Sequence, residues 1–373
     1  MKDIFKNYIY PVVTLSGSII GVGFLSLPYV ALKVGIVPMI FYFILLTAII
    51  VYLHIILGEI SLKTPDFKRW PGFVEYYFGK RAKKLILLPI VVGSFGVLLA
   101  YLIVGSQFLS AIFSPVVGGN IIAYVVLYFV ILSLAVYFGS GVIARLEFWA
   151  IVALVISLAV ILFKALDQFK ISNILASDPG IGLNNFFLPY GAILFSLWGT
   201  ALIPEVEEMV RGRKKALKVI LIIATLLPAV IYLAFIFLVL GISGENTTES
   251  ALTGLKDVLG NGVSSVALFV GVITTFTAFI ALALYLRKMF VYDLKINDKL
   301  ASTIVCFTPI VLYFIGFNSF ISIVSFIGGV MLGIEGILIL LIYKKIGGKS
   351  IIVYPLIILF LLGIIYSILF IAK

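Results

Sequence analysis

Apolar runs follow one another along the chain at roughly 8–33, 35–61, 85–113, 119–138, 145–163, 187–206, 217–241, 263–286, 300–314, 319–343 and 351–372. A helix needs about 20 apolar residues to cross the hydrocarbon of a bilayer, and nearly every run meets that length. The ninth run is the short one. Lipid offers no hydrogen bonds to the backbone, so each run is expected to be a helix. A β-barrel would need short alternating segments, and Ile49-Ile50-Val51-Tyr52-Leu53 does not alternate. The chain is 63% hydrophobic and 12% charged, whereas soluble domains are about 45–50% apolar and about 25% charged. This excludes a cytosolic enzyme, a disordered chain and a fibrous repeat. The expected fold is an all-α polytopic membrane protein of eleven spans, forming one domain over 1–373. The first run is longer than the core of a signal peptide and has no small-residue cleavage site, so it is expected to be retained.

Basic residues set the orientation, because Lys and Arg stay on the cytoplasmic side. With the N-terminus inside, 22 of the 27 Lys and Arg fall on inner segments. The outer side keeps Lys33, Lys164, Lys170, Lys256 and Lys373. An N-in, C-out protein of the cytoplasmic membrane is expected. The net charge of +11 then reads as anchoring at the bilayer, not as a nucleic-acid surface. One cysteine, Cys306, and one histidine, His54, exclude a disulfide framework and a His-His zinc site.

Two runs are interrupted. The first reads Leu15-Ser16-Gly17-Ser18-Ile19-Ile20-Gly21-Val22-Gly23-Phe24-Leu25-Ser26-Leu27-Pro28. Gly17 and Gly21 have the spacing of a small-residue packing seam. Three glycines and a proline at mid-bilayer depth also favour an unwound segment. Unwinding frees backbone groups, which is tolerated only where they line a cavity or bind something. The sixth run reads Phe195-Ser196-Leu197-Trp198-Gly199-Thr200-Ala201-Leu202-Ile203-Pro204-Glu205. With five helices per half, runs 1 and 6 correspond, and paired interruptions in corresponding helices point to a transporter binding site.

Gly17-Ser18-Ile19-Ile20-Gly21-Val22-Gly23 followed by Pro28 resembles the first-helix motif of the amino acid–polyamine–organocation superfamily. Phe195-Ser196-x-x-Gly199 followed by Glu205 resembles its sixth-helix motif. Thr274-Thr275-Phe276 in run 8 resembles the Thr-Ser-Phe of the amino acid/auxin and aromatic amino acid permease branch. The resemblance implies the leucine-transporter fold: inverted five-helix repeats, here roughly 8–163 and 187–343, with 351–372 as an extra helix. It also implies an ion-coupled amino acid symporter with substrate between runs 1, 3, 6 and 8. By position, the amides of Val22 and Gly23 would take the carboxylate. The carbonyls of Ile20, Phe195, Ser196 and Trp198 would take the ammonium, with Gly17, Ser18, Gly21 and Gly199 completing the site and Phe195 as an aromatic lid. A helix N-terminus bearing free N–H groups suits a carboxylate on physical grounds as well. The resemblance also implies a sodium site formed by Gly17, Ile20, Gly271, Thr274 and Thr275.

Glu335 lies deep in run 10. An intramembrane carboxyl is a functional group by default, and it stands here as either a proton carrier or a hydrogen-bond partner inside the bundle. The coupling ion is therefore expected to be Na+ or H+. Gln107, Tyr101 and His54 read as packing residues with satisfied polar tips. Glu59, Glu147, Glu205, Glu207 and Glu208 lie near inner helix ends and are expected to pair with the basic loops. Phe24, Phe195, Leu197 and Trp198 bring no charge to the expected site, so neutral, apolar or aromatic amino acids are expected. Gly348-Lys349-Ser350 looks like the end of a P-loop, but Tyr343 stands where its first glycine belongs. An enzyme is not expected. The rival readings are an ion channel and a transporter-like amino acid sensor or receptor.

Overall fold

The computed structural model describes residues 5–66, 68–138, 143–175, 186–210, 213–259, 261–292 and 294–371. Among them every regular element is helical. The first run forms α1 (Tyr10–Ile19) and α2 (Leu27–Val34), and the second forms α3 (Ile36–Lys63). A short helix, α4 (Trp70–Phe78), lies in the basic segment after α3 and leads into α5 (Lys80–Val117). Next come α6 (Ile121–Phe138), α7 (Ile143–Ala165) and the one-turn α8 (Ile171–Leu175). The sixth run divides into α9 (Leu188–Leu197) and α10 (Ile203–Val210). The chain continues through α11 (Lys214–Ser243), α12 (Leu252–Leu259), α13 (Asn261–Tyr292) and α14 (Asp298–Phe314). Run 10 comprises α15 (Phe320–Phe326), a π-helical turn over Ile327–Met331 and α16 (Leu332–Lys345); α17 (Ser350–Ile371) ends the chain's described part.

Six helices among the described residues are long and apolar enough to cross a membrane, or seven if the bent pair Asn7–Ile19 and Gly23–Val34 counts as one span. The fourth, fifth and ninth runs are helical as α6, α7 and α14, and the sixth is split. The sequence reading did not anticipate α4, α8, α12 or the π turn. Helix α4 carries Pro71 in its first turn and stops at Gly79, whose φ of 85° favours glycine.

Local chemistry accounts for the two breaks. Helix α1 stops at Ile20, whose ψ of 84° is not helical. A 3-10 turn over Gly23–Ser26 follows, and Pro28 sits in the first turn of α2, where its missing N–H costs nothing. The two halves meet at 50°. In run 6, Trp198 is extended (ψ 122°) and Gly199 has φ −133° before a 3-10 turn over Thr200–Leu202.

Run 10 is central and α17 peripheral. In Phe320–Lys345, 61% of the apolar stretch is buried, against 22% in Ser350–Leu369. The outward face of the bundle carries Val37, Leu85, Phe163 and Ile351, all largely exposed, as suits a lipid-facing surface. Beside the basic segments, Arg69 pairs with Glu205 (3.3 Å) and Lys214 with Glu59 (3.4 Å), while Ser61 donates to Glu207 (3.5 Å). Glu205 and Glu59 thus pair with basic residues as expected, while Glu207 accepts from a hydroxyl. The side chain of Glu147 lies outside the described ones.

Candidate functional site

The break in the first run leaves backbone groups free. The last bond of α1 runs from Ile20 N–H to Ser16 O (3.0 Å), and Gly21 N–H turns back to Ile19 O (2.9 Å). Helical bonding resumes with Leu25 N–H to Val22 O (3.1 Å). Between these points, the N–H groups of Val22 and Gly23 and the carbonyls of Gly17, Ser18 and Ile20 have no hydrogen-bond partner among the described residues. Val22, Gly23 and Ile20 are buried, whereas Gly17 is half-buried and Ser18 exposed; a buried polar group left unmet costs about 1–3 kcal/mol, so the buried members favour a polar neighbour.

All of these residues but Gly23 border a cavity of about 40 Å³, lined by Gly17, Ser18, Ile20, Gly21, Val22, Tyr101, Thr274 and Ala278. No charged side chain lines it. A water needs about 10–15 Å³ of such space, whereas a benzene-sized ligand takes about 150 Å³. In this shape the cavity therefore accommodates a small polar head group but not an aromatic side chain. One carbonyl of the break is already engaged: the Tyr232 hydroxyl donates to Ile19 O at 2.9 Å.

The two interruptions meet. A Cβ placed on Gly23 would lie 2.6 Å from the Phe195 ring and 3.0 Å from the Ser196 Cα. One placed on Gly199 would lie 2.6 Å from Ile19 and 3.3 Å from Leu15. Phe195 thus sits against the opening turn of the second half of run 1. Ser196 bonds back to Ala192 O (2.7 Å). Trp198 and Gly199 turn elsewhere: the Trp198 indole donates to Glu335 Oε2 (3.1 Å) and Gly199 N–H to His54 Nε2 (3.3 Å). Phe24 faces α11, stacked on Tyr232 (centroids 5.1 Å apart, 4° between planes) and edge-on to Phe235.

The threonines of α13 part company. Thr274 lines the cavity, and its hydroxyl donates to Val270 O (2.9 Å). The hydroxyl of Thr275 lies 2.8 Å from that of Tyr128 and donates back to Gly271 O (3.0 Å). Gly271 itself faces Phe108, which a Cβ there would approach to 2.7 Å. Successive residues point about 100° apart around a helix, so adjacent threonines face different neighbours. Of the five expected sodium ligands, Gly17, Ile20 and Thr274 share the cavity; Thr275 and Gly271 face α6 and α5. The described residues contain no cluster of His, Cys, Asp or Glu able to hold a metal ion.

Glu335 is the node of a different network: it accepts from Trp198 and, at 2.7 Å, from the Thr200 hydroxyl. Tyr101 and Ala278 join the cavity although sequence reasoning gave them no role there. Tyr101 carried one signal, a polar tip at membrane depth; Ala278 carried none.

The chain matches the family described as "Transmembrane amino acid transporter protein" over residues 7–334. No curated protein matches it. Among solved structures, it resembles the crystal structure of MhsT in complex with L-phenylalanine, with 15% identity over 97% of each chain and a TM-score of 0.56. It also resembles the inward-facing conformation of Mhp1, with 14% identity over 96% of this chain and 88% of that one, and a TM-score of 0.69. At such identities these likenesses establish the fold alone, that of the leucine transporter. The protein is a multi-pass membrane protein with that fold, within the amino acid–polyamine–organocation superfamily. With the match spanning most of its length, the chain belongs to the family of transmembrane amino acid transporter proteins.

Proposed function

We propose that the protein is a secondary active symporter that imports neutral amino acids, apolar or aromatic, across the cytoplasmic membrane by alternating access. Eleven crossings, inverted repeats and an N-terminus inside belong to this reading. The observation that carries it is the cavity at the break of run 1. Free N–H groups of Val22 and Gly23 complement a carboxylate, and the free Ser18 carbonyl complements an ammonium, which leaves the Gly17 and Ile20 carbonyls to the coupling ion. Both ends of a zwitterion thus meet backbone, which leaves the side chain to face Ile20, Val22, Tyr101 and Ala278. The cavity must widen to admit a large side chain, and a site that closes around its substrate does so within a cycle of opening to either side. The phenylalanine named in the MhsT structure suits the same lining.

Specificity follows from the lining. A charged substrate side chain would be left unpaired, at a cost of several kcal/mol. Uptake by proteoliposomes under an imposed ion gradient is expected for L-phenylalanine, L-leucine or similar residues, with L-lysine, L-arginine and L-glutamate at least about 100-fold poorer. Preference for a charged amino acid would refute the assigned lining. Absence of saturable uptake of any amino acid would refute the transporter reading.

Sodium is the coupling ion in this proposal. It is a hard cation that prefers oxygen ligands, and the Gly17 and Ile20 carbonyls with the Thr274 hydroxyl supply three around one cavity. Sodium there would tie α1 to α13 and favour one state by binding it better. Thr274→Ala is expected to raise the sodium concentration for half-maximal uptake by about tenfold, whereas Thr275→Ala, facing Tyr128, should leave it within about twofold. Uptake that ignores sodium and follows an imposed pH gradient would assign coupling to protons instead.

A further inference from the structure

The unwound turn of run 6 has three donors and no helical acceptor for them: the Trp198 indole N–H, the Gly199 backbone N–H and the Thr200 hydroxyl. All three find acceptors on other helices. Glu335 of α16 receives Trp198 on Oε2 and Thr200 on Oε1 (3.1 and 2.7 Å). His54 of α3 receives Gly199 on Nε2 (3.3 Å). Helices α3 and α16 pack against each other, so both acceptors stand on one supporting wall.

The bonding also sets the imidazole's tautomer. The Thr225 hydroxyl donates its proton to Leu221 O (2.8 Å). It therefore accepts from His54 Nδ1, 2.8 Å away, which places the ring proton on Nδ1 and leaves Nε2 bare for Gly199. His54 is fully buried, so no water replaces either bond if it is lost. The segment held in this way touches the other interruption directly. Gly199 lies against Ile19 and Leu15, Ile19 O is held by Tyr232, and Ile20 lines the cavity.

We propose that His54 and Glu335 are positioning residues: together they hold Trp198-Gly199-Thr200 in its unwound shape and, through Gly199 against Ile19, keep the cavity at the break of run 1 assembled. The proposal rests on reading that cavity as the amino acid site.

Conservative variants separate this role from others. In Glu335→Gln, the amide oxygen still accepts from Trp198, which can only donate, and the Thr200 hydroxyl turns to accept from the amide nitrogen. In His54→Gln, an amide oxygen can take the place of Nε2. Glu335→Ala and His54→Leu leave donors unmet. The measurements are L-phenylalanine affinity of the purified full-length protein, its melting temperature, and Trp198 emission with Trp70 and Trp149 replaced by phenylalanine. Glu335→Ala and His54→Leu are expected to weaken binding about tenfold or more, and Glu335→Ala to shift Trp198 emission. Both glutamine variants should bind within about threefold of the parent. Should Glu335→Ala fail to fold, Thr200→Val removes one of the same bonds from the other side and is expected to weaken binding in a protein that melts normally.

Parent-like affinity in folded Glu335→Ala and His54→Leu would overturn the proposal. So would a Glu335→Gln protein that binds normally yet transports nothing, because that result assigns Glu335 to proton transfer. If the parent binds no amino acid, the reading of the cavity fails, and a shift of Trp198 emission in Glu335→Ala still reports whether the carboxylate holds the turn.

Discussion

Replacing Gly23 with leucine is expected to reduce uptake by reconstituted protein to the level of empty liposomes. Even the first carbon of a side chain there would lie 2.6 Å from the Phe195 ring and 3.0 Å from the Ser196 Cα. The ring can turn, but the Cα belongs to backbone and can retreat only if α9 moves. Leucine adds further bulk and favours continuous helix, which would engage the N–H groups that the proposed carboxylate needs. Gly23→Ala, with the Cβ alone, should retain part of the uptake at reduced affinity. Gly21→Ala places its Cβ 3.8 Å from the Tyr101 hydroxyl, an ordinary contact, and is expected to be milder still. L-phenylalanine binding and melting temperature, measured beside uptake, separate a blocked site from a misfolded protein. Parent affinity in Gly23→Leu would show that the glycine serves only as a packing seam.

Gly328→Ala is expected to have the largest effect on stability. Gly328 lies in the π turn of run 10, and a Cβ there would come within 1.8 Å of Gly191 O and 3.0 Å of Phe195 N. The reciprocal contact is as close: a Cβ on Gly191 would lie 2.5 Å from Ser325 O. Runs 6 and 10 therefore meet backbone to backbone, and neither side has a flexible group that could yield. Overpacking usually costs about 1–3 kcal/mol and more where backbone must move, so a loss of about 3 kcal/mol or more is expected. Gly93→Ala is the control, because its Cβ would sit 3.6 Å from Met331 and alanine favours helix by about 1 kcal/mol. Purified Gly328→Ala should melt well below the parent or aggregate in detergent, whereas Gly93→Ala should match or exceed it. An unchanged melting temperature in Gly328→Ala would mean that α9 and run 10 separate at little cost.

The residues around Gly23 show how much of the site was readable in advance. Glycine and proline act through their own backbone, so the run Gly17 to Pro28 announced an interruption without reference to any neighbour. That backbone groups are freed there followed from helix geometry, while the choice of Val22, Gly23 and Ile20 came from the family resemblance. Phe195 could be placed beside the break because it stands in the matching interruption at the position where the family resemblance implies an aromatic lid. Thr274 and Thr275 could not be told apart: both are threonines on one helix, and Tyr128 and Phe108, each more than a hundred residues away in sequence, decide which of the two turns to the cavity. Phe24 belongs to the motif yet stacks on Tyr232, because the turn that frees Val22 and Gly23 also rotates the next side chain towards α11.

The sequence alone determined that this chain lives in a bilayer, that its apolar runs are helical and where two helices break. Each rests on a local cause: apolar length, backbone satisfaction in lipid, and the conformational habits of glycine and proline. Tertiary structure decided what the freed groups face. Tyr232 takes the Ile19 carbonyl, Tyr101 and Thr274 close the cavity, and His54 and Glu335 receive the turn of run 6 from 145 and from 135–137 residues away along the chain. Hydrogen-bond partners at that separation depend on how helices pack against one another, and a residue's own chemistry states only that it needs a partner, not which one it meets.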